Sequence, residues 1–134
     1  MPLKLKKSVS QMVAEANAEV ETIQAADAIK LKEDPNILLV DIRDIRELDR
    51  DGRIPGALHA PRGMLEFWVD PASPYHREVF ASGKKFLFFC AAGGRSALAA
   101  LALQQMGLEP VAHMGGGFGA WKAAGGAIEG GKPK

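Results

Sequence analysis

Residues 86–100 of the chain read Phe-Leu-Phe-Phe-Cys-Ala-Ala-Gly-Gly-Arg-Ser-Ala-Leu-Ala-Ala, and this stretch decides the fold that the sequence predicts. Four apolar residues lead directly into Cys90, which is the only cysteine of the chain. A short loop with two glycines follows, and the alanine- and leucine-rich run over 96–106 is typical of a helix. The order predicts a buried strand, a loop and a helix. It places a thiol at the carboxyl end of the strand, where ligand sites lie in open α/β sheets.

The rest of the chain alternates predicted strands and helices on both sides of this stretch. The predicted strands are 21–24, 37–42, 57–60, 85–89 and 110–113, and the predicted helices are 8–20, 25–32, 44–51, 61–68, 75–81, 96–106 and 118–124. Continuous apolar runs between turn residues indicate strands that are buried on both faces, as in a parallel sheet. We therefore expect an α/β sandwich with a mostly parallel central sheet of about five short strands and helices on both faces.

Length and composition indicate one main domain with a helical extension. A chain of 134 residues can bury a core without disulfides, and a single cysteine cannot form an internal one. Apolar residues recur at helical spacing over 8–20, so this helix is expected to be amphipathic. We expect an N-terminal helical extension at 1–20, the main domain at 21–128 and a flexible tail at 129–134. The extension either packs on its own domain or forms a homodimer contact.

Charge and hydropathy argue against two classes of partner. The formal net charge of +1 gives no reason to expect nucleic acid as a partner. No run approaches the ~18 consecutive apolar residues that span a bilayer. Polar residues interrupt the segment after the basic start, so no secretory signal is expected. We therefore expect no membrane partner and a cytoplasmic location.

Cys90 is a candidate nucleophile because its sequence neighbours favour a thiolate. A helix N-terminus can lower a thiol pKa from about 8.5 to roughly 3.5–7.5. Gly93 and Gly94 carry no side-chain bulk, so backbone amides can turn inward as an anion-binding nest. Arg95 adds a permanent positive charge, and Ser96 is predicted to cap the helix. The alternative is a buried cysteine that only fills space.

The cysteine loop resembles the active-site loop of the rhodanese family, in particular that of its single-domain sulfurtransferases. Three further stretches agree in the same order along the chain. Residues 40–43 with Glu47 are similar to the family's Asp-x-Arg strand end, 52–57 to its Gly-His-Ile-Pro-Gly-Ala segment, and 116–121 to its Gly-Gly-x-x-x-Trp signature. Arg53 stands where the family usually has histidine. The resemblance implies that 21–128 is a rhodanese-like domain.

The resemblance implies sulfur transfer through a persulfide on Cys90. The thiolate attacks the outer sulfur of a small anionic donor such as thiosulfate, and the persulfide passes that sulfur to cyanide or a thiol. The loop amides stabilise the anionic persulfide, and Arg95 orients the donor. No metal or organic cofactor is required. Arg95 is the one basic residue of this loop, so a thiol persulfide, such as that of glutathione, or a protein persulfide stays open as the donor. The substrate-binding residues implied in this way are Ala91, Ala92, Gly93, Gly94, Arg95 and Ser96.

Loop length separates this interpretation from alternatives on the same fold. Phosphatases and arsenate reductases of this fold have five residues between the cysteine and the arginine. Four residues, 91–94, lie between Cys90 and Arg95. The tighter loop suits a single sulfur atom better than a phosphoryl group. A non-catalytic module that senses persulfides or docks a partner is the other alternative.

Two further groups of residues are candidates for supporting the site. Asp41 and Arg43 end a predicted strand whose carboxyl edge should face the site, and in the family this pair is mainly structural. Arg62, Phe67 and Trp68 follow another predicted strand and are candidates for the pocket wall, with ordinary loop core as the alternative.

The three histidines lack the spacing of metal ligands, so we expect no metal site. They are His59, His76 and His113. His113 lies near a predicted strand end and could approach the loop, but packing is its expected role.

Overall fold

The computed structural model describes residues 3–131, and within that range five parallel strands form one sheet. The strands are β1 (Glu21–Gln24), β2 (Ile37–Asp41), β3 (Leu58–His59), β4 (Lys85–Phe89) and β5 (Val111–Gly115). The helices are α1 (Val9–Glu19), α2 (Ala25–Leu31), α3 (Ile45–Asp51), α4 (Leu65–Val69), α5 (Gly94–Met106) and α6 (Gly117–Ala123), and 3-10 helices cover Arg62–Met64 and Glu78–Ala81. The order in the sheet is β1-β5-β4-β2-β3. The predicted α/β fold with a parallel sheet is confirmed.

Strand β4 lies at the centre of the sheet, between β5 and β2. Phe86 and Phe88 are buried in one core cluster, together with side chains of α5. Leu87 and Phe89 are buried in a second cluster, together with side chains of α2 and α6. Successive side chains of a strand point to opposite faces, so burial on both faces requires the continuous apolar run of β4. The carboxyl end of β4 therefore lies between the carboxyl ends of β5 and β2.

Helix α1 packs against α5 of its own domain. The Ser8 hydroxyl caps α1 by accepting a hydrogen bond from the Gln11 amide at 3.1 Å, and Ala16 is fully buried. Gln104 of α5 donates to the Glu19 carbonyl at the other end of α1, at 3.2 Å. Four large apolar side chains of this region are exposed, Leu3 and Leu5 before α1 and Val9 and Met12 in its first turn. The homodimer contact through this extension stays a prediction.

Several boundaries differ from those expected from the sequence. Only Glu78–Ala81 of the predicted helix 75–81 is helical, as a 3-10 turn. Strand β5 runs to Gly115, two residues beyond the predicted end at 113, because Gly115 continues the pairing with β1 opposite Gln24. At the other end of the chain, Glu129 forms an antiparallel bridge with Arg53.

The predicted division into extension, main domain and tail stays a prediction. Residues 132–134 of the expected tail lie outside the described range. No helix within 3–131 is both long enough and apolar enough to cross a membrane.

Candidate active site

Cys90 follows the last residue of β4 and lies beneath the loop that leads into α5. Its side chain is buried, and its Sγ accepts a hydrogen bond from the Gly93 amide at 3.1 Å. Gly93 has a φ of +115°, a left-handed conformation that glycine adopts without side-chain strain. This turn folds the loop back over the sulfur, so that its amides point at the sulfur.

The loop stabilises a negative charge on the Cys90 sulfur. Burial raises the pKa of the Cys90 thiol, but hydrogen bonds outweigh this effect and leave the pKa below its ordinary value. The donors are the Ser96 hydroxyl and the backbone amides of Ser96, Gly93 and Ala92. A thiolate can therefore persist in a site that excludes most water.

Ser96 does not cap α5, so that expectation is wrong. Gly93 is the N-cap, and α5 begins at Gly94, two residues earlier than predicted, because the left-handed Gly93 turns the chain directly into the helix. The Ser96 side chain is completely buried within the first turn. Its Oγ lies 3.6 Å from Cys90 Sγ, 3.2 Å from the Gly93 carbonyl and 3.0 Å from Nδ1 of His113. It contacts the sulfur from inside the domain.

Arg95 forms a two-pronged ion pair with Glu47 of α3. Its Nη1 lies 2.8 Å from one carboxylate oxygen and its Nη2 2.9 Å from the other. The Arg95 guanidinium holds the pKa of Glu47 below its usual range, against burial, which raises it. Glu47 also accepts the Asp44 amide as part of a capping box at the start of α3. The charge of Arg95 is therefore largely balanced by a carboxylate that is itself held in place.

Asp41 and Arg43 form a buried ion pair at the end of β2. Their side chains are each 1% exposed, and Arg43 Nη2 lies 2.8 Å from an Asp41 oxygen. The same nitrogen donates to the Gly52 carbonyl at 2.9 Å, and the guanidinium stacks 4.0 Å from the ring centre of Phe118. The pair thus joins the end of β2 to the end of α3 and to α6.

A cavity of about 320 Å³ lies beside the cysteine loop, against α1 and the β1–β5 edge of the sheet. Its lining includes Val13 and Asn17 of α1, the loop residues Ala92, Gly93 and Gly94, and His113 of β5. Only His113 among the lining residues is titratable, so the walls are polar but carry no fixed charge.

The candidate pocket-wall residues do not line this cavity. Arg62 pairs with Glu66 one turn later at 2.8 Å, and Phe67 is half exposed with its ring edge-on to Tyr75. The Trp68 ring lies 4.1 Å beneath the guanidinium of Arg77. Their contribution to a pocket stays a prediction.

His113 lies in the neighbourhood of the cysteine, an approach that the sequence allowed although packing was the expected role. It lies in β5 directly opposite Phe88 of β4, and Phe88 and Cys90 are buried in the same core cluster. The ring therefore points to the same side of the sheet as the thiol and contacts Ser96. The alternation of side chains along β5 could have shown which residues share a face of the sheet with His113. The pairing of β5 with β4 cannot be read from the sequence.

Within 3–131, no three His, Cys, Asp or Glu side chains come together in a way that could hold a metal ion. The site thus consists of a buried thiol, a ring of amides, a hydroxyl and an imidazole.

The sheet is parallel, and a cysteine whose sulfur accepts a loop amide directly follows its central strand. These features define the class, an α/β protein with a thiol in the loop between a strand and a helix. The family model of the Rhodanese-like domain matches residues 24–124. The chain belongs to the rhodanese-like domain family, which confirms the resemblance inferred from its motifs.

Solved structures agree with this assignment. A protein of unknown function from Rhodopseudomonas palustris, described as a possible tyrosine phosphatase, is 54% identical, with 96% of this chain and 99% of that chain covered and a TM-score of 0.93. A rhodanese-like domain protein from Staphylococcus aureus is 26% identical, with 82% and 99% covered and a TM-score of 0.64. A polysulfide-sulfur transferase homodimer from Wolinella succinogenes is 28% identical, with 88% and 84% covered and a TM-score of 0.67.

Proposed function

We propose that this chain is a sulfurtransferase that carries sulfane sulfur as a persulfide on Cys90. The observation that carries the proposal is the donation of the Gly93 amide to Sγ at 3.1 Å, in a loop of four residues between Cys90 and Arg95. Such a loop supplies fixed amide dipoles to a negative charge on sulfur. It is short, so one additional sulfur atom fits the ring of amides better than a phosphoryl group.

The reaction proceeds in two steps on the same sulfur. The Cys90 thiolate attacks the outer sulfur of the donor and forms a new S–S bond. The bond from that sulfur to the rest of the donor breaks, and the leaving group, sulfite in the case of thiosulfate, departs with the electron pair. A nucleophilic acceptor, cyanide or a thiol, then attacks the outer sulfur of the persulfide and releases the Cys90 thiolate. Ping-pong kinetics are expected.

Two properties of the site bear on the donor. Arg95 is already paired with Glu47, so an anionic donor must share or displace that carboxylate. The cavity beside the loop has no fixed charge in its lining. The oxygens that carry charge in thiosulfate lie on the atom bonded to the transferred sulfur, whereas the carboxylates of glutathione persulfide lie several bonds away from it. We therefore expect glutathione persulfide to load Cys90 at lower concentration than thiosulfate. The similarity to a polysulfide-sulfur transferase supports a sulfane donor in general.

The chemistry of the site also bears on the location and the partners of the protein. A free Cys90 thiol is required for the first step, and cytoplasmic reductants keep thiols in that state, so we propose a cytoplasmic location. The proposed partners are the small sulfur donor and the thiol or cyanide acceptor.

Intact-mass measurement tests the proposal. The protein is incubated separately with thiosulfate, inorganic polysulfide and glutathione persulfide, and then with cyanide. We expect the gain of one sulfur that cyanide removes, and no gain in Cys90→Ser. Since Cys90 is the only cysteine, any adduct lost in this variant belongs to it. The absence of an adduct with all three donors would contradict the proposal and favour a docking module.

Phosphatase activity is the second candidate, since the 54% identical protein is described as a possible tyrosine phosphatase. An aryl phosphate assay separates the two functions. We expect no turnover above that of Cys90→Ser. Turnover that depends on Cys90 would favour phosphatase activity over sulfur transfer, despite the four-residue loop.

A further inference from the structure

A continuous series of hydrogen bonds runs from the Cys90 sulfur to helix α1. Cys90 Sγ lies 3.6 Å from Ser96 Oγ, and that oxygen lies 3.0 Å from Nδ1 of His113. On the other side of the ring, Nε2 lies 2.6 Å from the side-chain oxygen of Asn17 and 3.2 Å from the hydroxyl of Thr22. The imidazole is thus held at both nitrogens, with the thiol two contacts away.

The contact with Asn17 determines the tautomer of the ring. An amide oxygen can only accept, so Nε2 of His113 must carry the hydrogen of this short bond. In the neutral ring, Nδ1 then has a free lone pair and faces the Ser96 hydroxyl. That hydroxyl has two neighbours besides His113, the Cys90 sulfur and the Gly93 carbonyl. The hydroxyl has one hydrogen, and by turning it from the Gly93 carbonyl to Nδ1 it can donate to the ring while it accepts from the thiol.

We propose that His113 is a positioning residue that takes the thiol proton of Cys90 through Ser96 and so holds the sulfur as a thiolate. The S–H proton moves to Ser96 Oγ while the Ser96 hydroxyl proton moves to Nδ1, and the S–H electron pair stays on sulfur. No other bond changes. Ser96 then donates to the thiolate, and the imidazolium donates to Ser96 and to Asn17. The inference rests on the proposed function in that Cys90 is its reacting group.

The surroundings of the ring favour this exchange over simple protonation from water. The hydrogen-bonding side chains come from α5, α1 and β1, and they are Ser96, Asn17 and Thr22, none of which is charged. Phe88 is the residue of β4 opposite the ring. Burial lowers the pKa of His113, so it opposes a net positive charge that the ring would gain by taking a proton from water. A proton passed within the pair leaves the pair neutral overall, which a buried site tolerates.

The helical extension therefore takes part in the site. Asn17 lies in α1, outside residues 24–124 that match the Rhodanese-like domain. Because Asn17 itself is exposed, it can be changed without opening the core. Different substitutions of Asn17 should therefore raise or lower the Cys90 pKa.

Titration of the Cys90 thiolate by its ultraviolet absorbance tests the proposal without any sulfur donor. His113→Asn can keep a polar atom near the position of Nδ1 but cannot take a proton, so we expect the Cys90 pKa to rise by about one unit, a tenfold loss of thiolate. Asn17→Asp places a carboxylate at Nε2 that stabilises the imidazolium, so we expect the Cys90 pKa to fall. His76→Asn is the matched control and should leave it unchanged.

The two Asn17 variants decide the outcome even if His113→Asn fails to fold. Asn17→Leu should raise the Cys90 pKa, opposite to Asn17→Asp. Equal shifts in both variants, or none, would overturn the relay. Sulfur loading by intact mass is measured on the same samples. Normal loading with no pKa response contradicts the relay alone, whereas pKa responses without loading contradict the sulfurtransferase proposal alone.

Discussion

At the scale of single residues, the site depends on the left-handed conformation of Gly93 and on the hydrogen-bond donors around Cys90 Sγ. The left-handed Gly93 directs an amide to Sγ and begins α5 early enough to bury Ser96 beside the thiol. The pKa of Cys90 falls because several donors act together against the effect of burial. A change at Gly93 should therefore affect both stability and the thiol.

Gly93→Ala should destabilise the fold by about 1–2 kcal/mol, since a side chain disfavours the left-handed conformation. The added Cβ would lie 3.5 Å from the Gly116 amide nitrogen, an ordinary contact, so the cost is conformational rather than steric. We also expect the Cys90 pKa to rise as the Gly93 amide moves away. Denaturant unfolding and thiolate titration measure the two effects.

Gly107→Ala is the matched control for this change. Gly107 has a φ of +103° at the other end of α5, and its Cβ would meet no atom within 4 Å. It should cost similar stability and leave the Cys90 pKa unchanged. If both variants shifted the thiol equally, the pKa would report general loosening rather than the lost amide.

At the scale of elements, three helices determine how the loop is used. Helix α5 provides Ser96 and follows the loop whose amides face the sulfur, α3 holds Arg95 through Glu47, and α1 lines the cavity and reaches His113 through Asn17. The ion pair between Glu47 of α3 and Arg95 of α5 has the most direct effect on which donor binds. Its carboxylate occupies the guanidinium that an anionic donor would use.

Glu47→Gln should lower the thiosulfate KM by several-fold, because the neutral amide no longer competes for Arg95. Glutamine keeps the hydrogen bond of the capping box, so α3 should remain folded. We expect the KM for glutathione persulfide to change less. Steady-state kinetics with both donors provide the measurement.

Asp51→Asn serves as the control on the same helix, since Asp51 pairs with Arg50 at the surface. It should change neither KM. A thiosulfate KM that rose in Glu47→Gln would show that Glu47 positions Arg95 for the donor rather than competing with it.

At the scale of the whole molecule, buried contacts hold the sheet edge on which the loop sits. The Asp41–Arg43 pair lies at the end of β2, the neighbour of β4 on the side away from β5. It connects this strand end to Gly52 and to Phe118 of α6. Removing one member leaves the other buried without its partner. The pair should therefore matter for folding more than for chemistry.

Asp41→Asn should cost about 3–5 kcal/mol of unfolding free energy, because the Arg43 charge would stay buried without its counter-ion. Thermal or denaturant unfolding measures this. Where the variant folds, Cys90 should still load with sulfur. Asp44→Asn, at an exposed pair with Arg46, is the comparison and should cost much less. A loss of loading in folded Asp41→Asn would instead assign the pair a role at the substrate.

The strand-to-helix order around Cys90, the four-residue spacing to Arg95 and the buried character of β4 are all properties of the sequence itself. They follow from local patterns: a continuous apolar run, turn residues and helical spacing. The sequence could not place Ser96 inside the helix, because the N-cap depends on the conformation that Gly93 takes.

The tertiary structure alone decided which distant residues surround the thiol. The order β1-β5-β4-β2-β3 brings His113 beside β4, α1 brings Asn17 to the ring, and α3 brings Glu47 to Arg95. These contacts depend on strand order and helix packing, which are set by the burial of the whole chain and not by any one stretch. The sequence by itself therefore determined the thiol loop and its family. The packing of α1, α3 and β5 around that loop decided which distant side chains lie beside it.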